Sequence, residues 1–211
     1  MRLRAPGRYG WCLVGLASIL WAVGCRSTPP VDPLQAAATP QPPSAESASE
    51  ATPAGTGSNS LELTSPAFSP GSPIPIGYSC DGANASPPLE WNFPSVKAQS
   101  FALIVDDPDA PGRTWVHWVI YNIPGTSASL PEGVPIEAEL ANGVRQGVNS
   151  GGELGYAGPC PPGGTHRYFF RLYALDSVLD SASGLTAEAL SEAMAGHILS
   201  TAELIGTYGR R

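Results

Sequence analysis

Positive charge is scarce in this chain. Only 11 of its 211 residues are Lys or Arg, against 18 Asp or Glu. Three of the eleven, Arg2, Arg4 and Arg8, fall in the first ten positions, so the remaining eight face all the acids and the rest of the chain carries a formal −10. That leaves no basic surface for nucleic acid and no polybasic patch for a membrane. Long apolar runs are also missing. The clearest, residues 11–23, is too short to cross a bilayer comfortably. There is no His-x-x-x-His or Cys-x-x-Cys spacing to support a zinc site, and no Gly-x-Ser-x-Gly elbow to present a nucleophile. Helix formers are thin outside one late segment. What remains is 42% hydrophobic, with 24 Gly and 23 Pro. This composition points to one β-rich domain joined to something unstructured.

The first 24 residues combine three arginines, a short apolar run and small residues before Cys25, the pattern of a signal peptide. Ala22-Val23-Gly24-Cys25 resembles the bacterial lipobox, with Ala22 where leucine is usual. Cleavage before Cys25 and acylation of its side chain and amine would give a stable anchor, since two anchoring signals hold where one does not. Residues 25–60 are then a lipidated cysteine followed by a tether of Pro, Ala, Ser, Thr and Glu. Such a segment buries too little apolar surface to offset its ordering entropy. Fully extended it reaches roughly 120 Å, so the domain would stand off the membrane.

Residues 61–211 are enough for one hydrophobic core. The stretch from Phe101 to Pro111 organises it. Five apolar residues form a core strand, which ends in three carboxylates, Asp106, Asp107 and Asp109, on a corner stiffened by Pro108 and Pro111. Both prolines fix their own φ and push Asp107 and Ala110 towards extended geometry. Further strands are expected at Leu61–Thr64, towards Trp91, over Thr114–Ile123 and over Arg167–Leu175. Period-two geometry places Trp115, His117, Val119 and Tyr121 on one face of the second long strand, with Val116, Trp118, Ile120 and Asn122 on the other. It likewise places His166, Tyr168 and Phe170 together, with Arg167 opposite as a structural ion-pair or hydrogen-bond donor. Thr186 caps a helix with Glu188 in its first turn and Leu190, Ala193 and Met194 on one face; Gly196 ends it. Residues 198–208 read as a closing strand, and His197 as a helix-end residue. Trp91 and Trp118 read as core and Tyr156 as loop packing. The sum is a mainly β fold, an antiparallel sandwich with one short helix near the C-terminus.

Two histidines, the Tyr168 hydroxyl and a donor-rich loop are expected to converge on the carboxylate corner. The loop before His166 is too rich in proline for a helix and too rich in glycine for a strand. Its free backbone donors belong to Gly158, Cys160, Gly163, Gly164 and Thr165, and successive N–H groups on a rigid turn can bind an anion. A carboxylate paired with a histidine would favour the charged ring, which donates to an anion.

Asp107-Pro108-Asp109-Ala110-Pro111, His117 followed by Trp118-Val119-Ile120-Tyr121-Asn122, Gly158-Pro159-Cys160-Pro161-Pro162 and His166-Arg167-Tyr168 occur in order. Together they resemble the phosphatidylethanolamine-binding protein family, and the Ser86–Trp91 segment resembles its bacterial, Raf-kinase-inhibitor-like branch. The resemblance implies a large central antiparallel sheet packed on a smaller one. It also implies a small, non-catalytic surface pocket for phosphate or a phosphoryl headgroup, with no cofactor and no metal. Carried over by position, the pocket residues are Asp107, Asp109, Pro111, Trp115, His117, Gly158, Cys160, Pro161, Pro162, His166 and Tyr168. In family members Cys80 and Cys160 lie beside the pocket, and an oxidising compartment allows them to pair. Animal members carry a C-terminal helix over part of the pocket; no counterpart is expected after Tyr208. The expected partners are a small anion and, through the anchor, the cell-envelope membrane on its extracytoplasmic side. The competing reading is an inhibitor of an extracytoplasmic protein such as a protease; a metal site and a hydrolase are weaker rivals.

Cys25→Ser is expected to release the protein from the membrane fraction or to block its processing. Continued membrane fractionation of the mutant after a high-salt wash would show that Cys25 is not the anchor.

Overall fold

The computed structural model describes residues 60–92 and 97–210. All lie in the unit Thr52–Arg211. The signal-peptide, lipidation and tether assignments therefore fall outside the described residues, apart from Ser60.

Among the described residues, eight strands and one α-helix build the domain: β1 (Leu63–Thr64), β2 (Leu89–Trp91), β3 (Ser100–Asp107), β4 (Trp115–Pro124), β5 (Ser129–Leu130), β6 (Arg145–Gln146), β7 (Thr165–Leu175), α1 (Ala187–Met194) and β8 (Ile198–Gly209). β1, β2 and β5 form a three-stranded sheet, and β6-β4-β3-β7-β8 a five-stranded one. All of these pairings are antiparallel.

The long strand β3 is central and buried along its whole length, which is why it reads as a continuous apolar run rather than an alternation. Phe101, Leu103 and Val105 point into the main core, where Trp118, Ile120, Tyr168, Phe170 and Leu172 meet Leu63, Leu89 and Trp91 of the small sheet. Ala102 and Ile104 point the other way, into a second cluster with Val119, Tyr121, Leu179, Leu190 and Met194. The large sheet is thus a middle layer, with the small sheet on one face and α1 on the other. Thr186 caps α1 by accepting from the Ala189 N–H at 3.2 Å, and Leu190 and Met194, one turn apart, supply its buried stripe. The expected strand over residues 198–208 is β8, paired with β7 along nearly its whole length.

One expectation is corrected. Strict alternation along β4 fails twice. Val105 pairs with Trp118 but Asp106 pairs with Val116, so His117 is an extra residue opposite no single partner. Such a bulge re-aims side chains. Val116 packs with the helix-side cluster and Trp118 with the main core, while the His117 ring lies against Tyr168, a main-core residue, with centroids 5.2 Å apart. His117 therefore shares a face with Trp118, not with Val119 and Tyr121. The second shift lies between the pairs Phe101–Ile123 and Leu103–Ile120. There Asn122 adopts φ 57° and its buried amide exchanges two bonds of 2.9 Å with the Leu179 backbone, accepting from N–H and donating to C=O.

Asn122→Ala removes both bonds, strands two backbone groups and keeps a left-handed φ. It is expected to cost about 2–4 kcal/mol in chemical denaturation. A loss below about 0.5 kcal/mol would show that the bulge is held by something else.

Candidate functional site

The C-terminal end of β3 and the N-terminal end of the antiparallel β7 lie side by side on the main-core face, where they place Asp107 and His166. Both residues are buried, and His166 Nδ1 lies 2.7 Å from Asp107 Oδ2. The other Asp107 oxygen accepts the Asp109 N–H at 2.8 Å. Asp107 thus closes its own proline-flanked corner while holding the neighbouring ring. With Nδ1 engaged, His166 has Nε2 left for a ligand.

The bulge brings His117 beside this pair. Its Nδ1 lies 2.6 Å from the Ala157 carbonyl, and burial pushes its pKa down despite that contact and the nearby Asp107 carboxylate. A cavity of about 410 Å³ opens over the two rings. Of the expected site residues, Asp107, Pro111, Trp115, His117, Gly158, Cys160, Pro161, Pro162 and His166 line it. Trp115 is half-exposed at the rim, with the Arg113 guanidinium 5.8 Å from its ring centroid.

Two expected residues stand elsewhere. Asp109 is held by Arg167, which donates from Nη2 at 2.7 Å, from Nε at 2.9 Å and from its backbone N–H at 3.0 Å. These bonds, rather than a ligand, hold its carboxyl down at about 2. Tyr168 lies beneath the cavity. Its hydroxyl is buried without a hydrogen-bond partner, and burial and the Asp107 charge push its pKa well up. The structural role read for Arg167 agrees with this arrangement.

Asn84 was missed. It lines the cavity at φ 55°, and its Oδ1 accepts the Gly158 N–H at 2.7 Å. One expected loop donor is therefore already used. In exchange, the Asn84 Nδ2 has no hydrogen-bond partner among the described residues. The sequence signal was slight, an Asn in the turn that follows Cys80-Asp81-Gly82. Cys80 and Cys160 are disulfide-bonded, with Cα atoms 5.5 Å apart. The bond and the Cys80 N–H, which donates to the Pro159 carbonyl at 3.1 Å, fasten this turn to the donor loop. Closing so long a loop contributes about 4 kcal/mol on the chain-entropy model. Among the described residues no three His, Cys, Asp or Glu side chains are grouped to hold a metal ion.

The family model for phosphatidylethanolamine-binding protein matches residues 64–209, and the chain belongs to that family. A protein of Methanothermobacter thermautotrophicus named only as a UPF0098 protein is 55% identical over 150 residues, 71% of this chain and 99% of its own length. A Mycobacterium tuberculosis protein described as "Putative lipoprotein LppC" is 38% identical over 205 residues, 92% of each chain. Among solved structures, the phosphatidylethanolamine-binding protein homologue CT736 from Chlamydia trachomatis is 48% identical with a TM-score of 0.67, covering 73% of this chain and all of its own. E. coli YbcL, described as a member of the mammalian family, is 31% identical with a TM-score of 0.66, covering 72% and 99%.

The pKa directions fix how stability depends on acid. His117 is lowered in the fold, so as pH drops below about 6.5 the unfolded chain takes up this proton first, and the stability His117 contributes above that pH erodes. Asp109 is lowered to about 2, so its contribution is complete above its ordinary value of 3.8 and is lost as pH falls towards 2. Denaturant midpoints are expected to fall in both windows, and Asp109→Asn to flatten only the lower one. An unchanged lower window in that variant would remove the Arg167 pair as its cause.

Proposed function

We propose that the protein is a lipid-anchored, extracytoplasmic binding protein whose cavity takes a phosphate or phosphoryl group without turning it over. The observation that carries this reading is the pair of rings. Both histidines have Nδ1 occupied, by Asp107 and by the Ala157 carbonyl, which leaves both Nε2 atoms for one ligand. In its charged form His166 donates from Nε2, Asp107 balances that charge, and the Asn84 amide adds a second donor. Charge-assisted bonds of this kind contribute about 1.5–3 kcal/mol each. Binding rests on a few short bonds, because the domain's net negative charge repels anions and salt screens it only beyond roughly 8–10 Å.

The same geometry supports the non-catalytic reading. No serine or threonine lines the cavity, and the lining cysteines, Cys80 and Cys160, are bonded to each other. Neither a hydroxyl nor a free thiol nucleophile is therefore offered to a bound group. The anchor reading rests on the Cys25 motif and on the lipoprotein relative, whose match extends over 92% of the chain. A tethered pocket facing away from the cytoplasm would meet phosphoryl groups of the envelope.

Calorimetric titration with phosphate or phosphoethanolamine is expected to show saturable binding of modest affinity. His166→Ala should weaken it roughly tenfold or more. Asp107→Asn should weaken it as well, although it removes a negative charge, because the ring loses the counter-charge that favours its charged form. Tighter binding by Asp107→Asn would mean that the carboxylate merely repels the ligand, and its assigned role would fall.

A further inference from the structure

The charges around the cavity say more about its ligand than its size does; the inference that follows rests on the anion-pocket reading above. No Lys or Arg lines the cavity, whose ionisable lining groups are Asp107, His117 and His166. Arg167 is committed to Asp109, outside the lining. Both Asp107 oxygens already accept bonds, one from His166 and one from the Asp109 N–H. Among the described residues no permanent cation lines the cavity to neutralise a dianion, the Arg113 guanidinium standing outside the lining over the rim Trp115, and one ring, His166, is placed to act as a cation beside its carboxylate.

The other ring is fixed as an acceptor. A carbonyl can only accept, so the 2.6 Å contact with Ala157 puts the ring proton of His117 on Nδ1. Its neutral Nε2 is then a bare lone pair. The groups that bear on it are the edge-on Tyr168 ring, Asp107, His166 and the backbone of residues 157–158. Burial is the largest influence and pushes the ring towards its neutral form; the Ala157 and Gly158 backbone contacts and Asp107 favour a second proton, and His166 opposes it.

We propose that the pocket selects phosphoryl monoesters in their singly protonated form, the P–OH donating to His117 Nε2 while the anionic oxygens accept from His166 Nε2–H and Asn84 Nδ2. A phosphodiester or sulfate carries no such proton near neutral pH. Either would set an oxygen lone pair against the His117 lone pair, leaving a buried acceptor unpaired. Sites built to bond a hydroxyl reject analogues that lack it. Size does not explain the preference, because a cavity of about 410 Å³ has room for one more methyl group.

The test uses the full chain, purified in detergent, titrated at pH 6.5 with methyl phosphate, dimethyl phosphate and sulfate. A monoester with a second pKa of about 6 keeps a sizeable singly protonated fraction there. Dimethyl phosphate and sulfate are expected to bind at least about tenfold more weakly than methyl phosphate. His117→Gln, whose amide can turn either an N–H or a C=O to the ligand, should narrow the gap to within about threefold. Equal binding of all three ligands by the wild type overturns the monoester selectivity and leaves the anion pocket standing. Binding of none overturns both. An undiminished gap in a variant that melts cooperatively would move the acceptor to another group, such as Asp107, and remove His117 from the role. If the variant does not fold, the wild-type ligand series decides alone.

Discussion

The site depends on one bond, from His166 Nδ1 to Asp107 Oδ2. It joins the ends of two central strands of a sheet covered on both faces, so neither partner can move without disturbing the core. β3 is buried from end to end, and its last residue carries the charge that meets the ring. A buried carboxylate is tolerated there because both its oxygens are used. Removing either side chain would leave the other buried without its partner, which is why the pair fixes position as well as chemistry.

The rest of the cavity is arranged around that pair by separate devices. The β4 bulge turns His117 onto the face that strict alternation would deny it. The Cys80–Cys160 bond holds the turn carrying Asn84 against the loop carrying Gly158, and Pro161 and Pro162 stiffen that loop. Pro108 and Pro111 do the same for the corner after Asp107, where the Arg167–Asp109 pair binds the outer side to β7. A pocket assembled from four rigid segments needs little reorganisation to bind, which favours a small, hydrogen-bonded ligand over a large one.

Much of the fold was legible because its signals are local. The apolar run before Asp106 marks the buried strand, the alternation of residues 166–170 marks β7, and Thr186 with Leu190 and Met194 marks α1. Most of the cavity lining was legible through four short motifs in order. What escaped depends on relations between segments. A bulge is a mismatch of register between two strands and leaves no trace in the periodicity of one, so the face of His117 was misread. Asp109 reads like Asp107 in sequence, and only the register of β7 hands it to Arg167. Asn84 owes its place to a glycine 74 positions away. The two-residue strands β5 and β6 are too short to carry a pattern at all.

The central claim, that His117 and His166 both present Nε2 to one anion, is tested most directly by nitrogen NMR of the imidazole rings during titration with inorganic phosphate. His197, exposed and paired with Asp176 at 2.8 Å, is an internal control. The account predicts saturable shifts at Nε2 of His117 and His166, small changes at their Nδ1 atoms and none at His197. Identical drift of all three rings, or no change at the two buried ones, would contradict it.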